Sequence, residues 1–293
     1  MADARVPVAR HTLELPGVRM QVVEAGEGEP VLLLHGFPQD SREYARVMEI
    51  LARSARVIAP DLRGAGGTQA PDGRYDVATM QGDLLALLDE LGLDRVKLVA
   101  HDWSALVGFL FCLDHPQRVS QYVALAVPPP YLRMHPAMLR SLPYLWFQYA
   151  LATPGLGPRL LAGGRQRLPR WLFRTFSARP DSIPAADAEA YLSALRDRAR
   201  ARAGSALYRQ LIVPGFLRII MGQYRGRVLR VPTLVLFGEQ DMVIPRAVLH
   251  GFESDAPELT IGFVPGAAHY IVDDQPAEVA RRIAQFLRLD DGQ

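Results

Sequence analysis

Six short, almost wholly apolar runs recur along the chain, and the longer stretches between them return their apolar residues at helical spacing; no other feature constrains the fold as much. The runs are 31–36 (VLLLHG), 55–61 (ARVIAPD), 95–102 (RVKLVAHD), 122–127 (YVALAV), 233–238 (TLVLFG) and 259–264 (LTIGFV). They read as buried parallel strands, and parallel neighbours require a crossover between them. Helices are predicted near 41–53, 78–91, 103–115, 245–253 and 276–288. A hairpin ahead of Pro30, with 19–25 as its second strand, adds an antiparallel edge. The fold class is therefore α/β, a mostly parallel sheet of eight strands with helices on both faces.

The alternation stops after Val127, where Pro128-Pro129-Pro130 breaks the chain, and resumes at Val231-Pro232. The residues between are rich in Arg, Leu, Tyr and Pro and read as several short helices without a strand pattern. This divides the chain into a core of residues 1–127 and 231–293 and a helical cap of residues 128–230. Open α/β sheets bind ligands at the carboxyl ends of their strands, so a helical insertion after the sixth strand would lie over that edge as a lid.

Composition narrows the function classes. At 293 residues, 49% hydrophobic and 22% charged, the chain has the profile of an ordinary globular protein. A formal charge of +2 gives no reason to expect a nucleic-acid or membrane partner. Cys112 is the only cysteine, which excludes an intrachain disulfide. The opening MADARVPVARHT lacks the apolar stretch of a secretory signal, and no run of about 18 apolar residues suggests a membrane span. A cytoplasmic protein is expected; a homodimer is neither required nor excluded.

The chemistry concentrates at the ends of the runs. The third runs through Ala100-His101-Asp102-Trp103-Ser104-Ala105 straight into an apolar helix. A carboxylate there lies beside a helix N-terminus, whose partial positive charge favours the ionised form, and an ionised carboxylate is a competent nucleophile. Asp is also a favoured N-cap residue, so Asp102 alone admits a purely structural reading. Three other segments weigh against it: His35-Gly36-Phe37-Pro38 after the first run, Phe237-Gly238-Glu239-Gln240-Asp241 after the fifth, and Gly266-Ala267-Ala268-His269 after the sixth. The loop Asp61-Leu62-Arg63-Gly64-Ala65-Gly66-Gly67-Thr68 reads as structural, with an ion pair expected between Asp61 and Arg63.

Together these segments resemble the α/β-hydrolase superfamily. The first is similar to its nucleophile elbow G-x-S-x-G, with Asp102 in the place of serine and with Ala100 and Ser104 in the places of the glycines. The resemblance implies an H-G-x-P loop with a cis bond before Pro38, an oxyanion hole made by the Phe37 and Trp103 amides, Asp241 as orienting acid with Glu239 the lesser candidate, and His269 as base. An aspartate nucleophile suits attack at saturated carbon. It forms an alkyl-enzyme ester that water, activated by the histidine, then hydrolyses.

Among such enzymes the chain resembles epoxide hydrolases, which carry H-G-F-P and H-D-W as here and use two cap tyrosines to protonate the opening epoxide. Tyr208 matches the second tyrosine. At the first position this sequence has Phe147, in Trp146-Phe147-Gln148-Tyr149, with Tyr149 or Tyr144 as substitutes. The resemblance implies a small hydrophobic epoxide as substrate, a vicinal diol as product, and no cofactor or metal. A haloalkane dehalogenase using the same residues is the alternative, although such enzymes usually supply a halide donor where this chain has Phe37; fluoroacetate-type dehalogenases resemble it less, having Arg after the nucleophile. A third alternative is a weakly catalytic member that binds or cyclises a small hydrophobic ligand.

Overall fold

The computed structural model of the chain describes residues 6–289. In chain order its elements are β1 (Val8–Leu15), β2 (Val18–Ala25), β3 (Pro30–Leu34), α1 (Ala45–Leu51), β4 (Arg56–Pro60), α2 (Val77–Glu90), β5 (Val96–His101), α3 (Trp103–Asp114) and β6 (Val119–Leu125). Six helices follow: α4 (Leu142–Ala152), α5 (Leu156–Ala162), α6 (Arg167–Phe176), α7 (Ala185–Arg196), α8 (Arg198–Leu207) and α9 (Val213–Ile220). The chain then returns through β7 (Thr233–Gly238), β8 (Leu259–Val264), α10 (Ile271–Asp274) and α11 (Pro276–Leu287).

The eight strands form one sheet in the order β1-β2-β4-β3-β5-β6-β7-β8. β1 and β2 pair antiparallel, β2 joins β4 antiparallel, and the remaining neighbours are parallel. Two apolar layers cover the sheet. Val31, Leu33, Val99, Val123 and Leu236 face the side packed by α1, α10 and α11. Leu32, Leu98, Tyr122 and Val235 face the side of α2 and α3. A buried Leu or Val stabilises by about 1.5–3 kcal/mol, so strands apolar on both faces commit to the centre of such a sheet.

Two expectations are corrected. No α-helix forms over 245–253; Pro245 leads only into a 3-10 turn, Arg246–Val248, the chain leaves helical geometry at Leu249 (φ −93°, ψ 54°), and Gly251 at φ 80° keeps it from resuming. Nor does Arg63 pair with Asp61. Its guanidinium grips Asp83 on α2 at 2.6 and 2.7 Å, while Asp61 accepts the Ser41 and Gly67 amides at 2.9 and 2.7 Å and so ties two loops together.

Between α8 and α9 the helix widens into a π turn, Tyr208–Ile212. Pro214 follows at once, and without an amide hydrogen it cannot bond four residues back; the wider register accommodates the lost donor.

Candidate active site

Strand ends carry the reactive groups because they hold backbone positions fixed while opening at the sheet edge. Asp102 follows β5 at φ 54° and ψ −135°, a conformation an aspartate adopts only when the surrounding structure imposes it. Its amide donates to Leu125 O at 3.2 Å and its carbonyl accepts from Ala105 at 2.8 Å, so β6 and the first turn of α3 hold the bend. The side chain makes no capping bond to α3. It turns instead toward Phe37, whose amide donates to Oδ2 at 3.0 Å. The Trp103 amide makes no hydrogen bond to this carboxylate, though both residues line the same cavity.

The approach of the two loops requires a bare Cα at Gly36, since a Cβ there would stand 2.9 Å from both Asp102 Cβ and His101 Nδ1. The Phe37–Pro38 peptide is cis. His35 braces this loop from beneath, its Nδ1 at 2.8 Å from Gly36 O and its Nε2 accepting the Leu62 amide at 2.9 Å. Ser104, in the place of a glycine, is fully buried, and its hydroxyl lies within 2.9 Å of Leu34 O and 2.7 Å of His101 O. It holds the elbow and faces no cavity.

His269 reaches the same point from the loop after β8. Its Nε2 lies 3.5 Å from Asp102 Oδ1 and its Nδ1 lies 3.1 Å from Asp241 Oδ2. Asp241 sits after β7 and also accepts the Val243 amide at 2.8 Å. Glu239 faces elsewhere, 3.6 Å from Arg246. The histidine loop is pinned by Asp274, which accepts the Ala268 amide at 2.8 Å and the Ala178 amide at 3.0 Å, and by Phe176 O, which accepts His269 N at 3.0 Å.

These contacts set the charges. Burial disfavours the charged forms, but the Asp241 carboxylate and the Asp102 contact outweigh it and raise the His269 pKa to about 10. Burial likewise opposes ionised Asp102, yet the His269 bond and charge, His101 and the Phe37 amide bring its pKa below the usual value. The two form an ion pair in the resting site. Behind them His101 is buried with acceptors at both ring nitrogens: Nε2 meets His269 O at 3.0 Å, and Nδ1 lies 3.3 and 3.4 Å from the two Glu43 oxygens. A ring facing acceptors on both sides carries both protons. Its pKa is raised accordingly, the Glu43 charge overcoming burial.

Above Asp102 opens a cavity of about 880 Å³, lined by Phe37, Trp103, Phe147, Tyr208, His269 and Tyr270 among many apolar neighbours. Tyr208 is buried, its ring edge-on to Phe37 at 5.1 Å. Burial and then the charge of Asp102 push its phenol well above its ordinary pKa. Phe147 faces inward beside it, ring centroids 6.0 Å apart. Trp146 and Tyr149 line the outer mouth, 51% and 57% exposed. Tyr144 is not a lining residue and packs on Phe176. The sequence reading passed over Tyr270, whose hydroxyl donates to Phe37 O at 3.4 Å and whose phenol is raised by burial and by Asp102. Its place beside His269 was the available signal. Among the described residues no group of three or more His, Cys, Asp or Glu is arranged to hold a metal.

Residues 29–276 match the family described as the alpha/beta hydrolase fold. The chain belongs to that family. This alpha/beta hydrolase is 30% identical to epoxide hydrolase 2 of Siraitia grosvenorii over 94% of its own length and 97% of that protein. It is also 30% identical to a fluoroacetate dehalogenase of a Burkholderia species, over 95% and 93% of the two chains. Among solved structures it superposes on Cfl2 of Burkholderia cenocepacia with a TM-score of 0.83, at 30% identity and 95% coverage of both chains.

Proposed function

We propose that this hydrolase opens small hydrophobic epoxides to vicinal diols through a covalent ester on Asp102, with residues 128–230 acting as the cap that shapes the pocket. One observation carries the reading. The two oxygens of Asp102 are differentiated, Oδ2 bound by the Phe37 amide and Oδ1 facing His269 at the floor of an apolar cavity.

In the first step Oδ1 attacks a ring carbon, the carbon–oxygen bond breaks, and the leaving oxygen takes the Tyr208 proton. Esterification removes one of the two negative charges that keep His269 protonated, so its pKa falls; it passes its proton to the Tyr208 phenolate and becomes a base. Water then adds to Cγ of Asp102, giving a proton to His269. The oxyanion forms at Oδ2 against the Phe37 amide, with the Trp103 amide as a second donor once Cγ is tetrahedral. Collapse expels the diol oxygen, which takes the remaining proton of the added water; the carboxylate is restored and His269 is left protonated, as at rest.

Dehalogenation by the same pair is the second reading. It is favoured by the fluoroacetate dehalogenase relative and by the scarcity of inward phenols, with Phe147 in the place of one. Styrene oxide, 1-chlorobutane and fluoroacetate, each offered to the native protein and to Asp102→Ala, separate the two: diol release supports the first and halide release the second. A single turnover in ¹⁸O-water should add 2 Da to the peptide bearing Asp102. Unlabelled Asp102 with labelled diol would mean direct water attack and end the covalent reading.

A further inference from the structure

The formal charge of +2 conceals a separation. Residues 128–230 contain seventeen arginines, no lysine and four carboxylates, a formal +13, so the remainder carries −11. No acidic residue occurs between Asp114 and Asp181. Within this basic segment the cavity mouth is ringed by exposed Met134, Leu139, Leu142, Trp146, Tyr149 and Leu217. Soluble monomers seldom gather large apolar side chains at one exposed rim without an occupant. Arg133, Arg140 and Arg218 are exposed, adjoin these residues in sequence, and their side chains make no salt bridge or hydrogen bond among the described residues.

We infer that this rim docks the protein, mouth inward, on an anionic lipid surface. Three observations select that occupant. Aromatic and aliphatic side chains interspersed with unpaired arginines match the interface between acyl chains and anionic headgroups. The rim is continuous with the wall of an apolar cavity, so a substrate dissolved in the bilayer would enter without crossing water. No described helix is long and apolar enough to cross a membrane, which makes the attachment peripheral. This inference does not rest on the epoxide reading, since it concerns only how the mouth is presented.

Cosedimentation of the full chain with phosphatidylcholine vesicles, with and without 30 mol% phosphatidylglycerol, tests it. Binding is expected only to the anionic vesicles and should weaken as salt is raised. Replacing Arg133, Arg140 and Arg218 together by Gln should lower the partition coefficient about a hundredfold, roughly fivefold per arginine, with turnover of a water-soluble substrate unchanged. Equal binding to both vesicle types, or an unchanged partition in the triple variant, would overturn the proposal. So would sedimentation as a dimer whose dissociation follows the triple substitution, because a second copy would then cover the rim.

Discussion

At the scale of single residues, opposite charges on Asp102 and His269 would impose an order on the proposed reaction. The resting histidine, whose pKa burial lowers but Asp241 and Asp102 raise to about 10, is an imidazolium at neutral pH; in the proposed mechanism it activates water only after the ester has formed. Asp241→Asn removes the neighbour that stabilises this cation and fixes the ring; hydrolysis of the ester should slow about 10³- to 10⁴-fold. Ester formation should be affected less, so the alkyl-enzyme should accumulate and be visible by intact-protein mass spectrometry. No accumulation, with both steps slowed equally, would deny Asp241 this role. Tyr208→Phe should instead slow ester formation by about 10²-fold or more, measured as single-turnover burst rate. Asp102, Asp241 and His269 were legible as a group because each lies at or shortly after the end of a strand, on the one edge where the sheet brings such loops together. The cap side chains that face the cavity were not: Phe147 and Tyr149 lie two residues apart on α4, about 200° around the helix, so one faces in and the other out, and only the helix rotation settles which.

Whole elements were legible where burial on both sides leaves one solution. All six predicted parallel strands are present, and the hairpin adds its antiparallel edge as expected. The 245–253 segment failed because apolar spacing was read through Pro245 and Gly251, whose backbone preferences outweigh a few apolar contacts. The π turn at Tyr208–Ile212 was invisible for a different reason: it follows from Pro214 inside a helix whose two halves are both packed, a tertiary demand that no local pattern reports. That turn has a testable consequence. Pro214→Ala restores a donor and permits regular α-helix, which would rotate Tyr208 relative to α9 by one residue's step. Turnover should fall about 10- to 100-fold, while the thermal midpoint should hold or rise. A variant with native kinetics would mean that packing against Phe37 and Phe147, and not the proline, holds the wide register.

For the molecule as a whole, the buried site ties stability to pH. Several groups, His101 among them, hold protons in the folded chain that the unfolded chain has released, and two are shifted far enough to set the pH range. His269 is raised from 6.5 to about 10, and Asp273, beside Glu43 and bonded to Arg46 and Gln39, is raised by burial and by Glu43 from 3.8 to about 8. Wherever the folded state binds more protons, stability falls as pH rises. Asp273 therefore contributes a decline from about pH 4 to about 8, and His269 a decline from about 6.5 to about 10. Each missing proton is worth at most about 1.4 kcal/mol per pH unit. The buried phenols of Tyr44, Tyr122, Tyr208 and Tyr270, all raised well above 10 first of all by burial, extend the decline further. Carboxylates whose pKa is lowered, such as Asp76 and Asp114, are ionised in both states above neutrality and cannot offset it. The thermal midpoint should thus fall steadily between pH 5.5 and 10, by roughly 2–4 °C for each kcal/mol lost. His269→Gln should flatten the curve between pH 8 and 10 and leave the slope between pH 5 and 6.5 intact, whereas Asp273→Asn should do the reverse. A native midpoint constant from pH 6 to 9.5 would mean that neither group keeps its proton in the folded chain, and the resting ion pair between Asp102 and His269 would have to be abandoned.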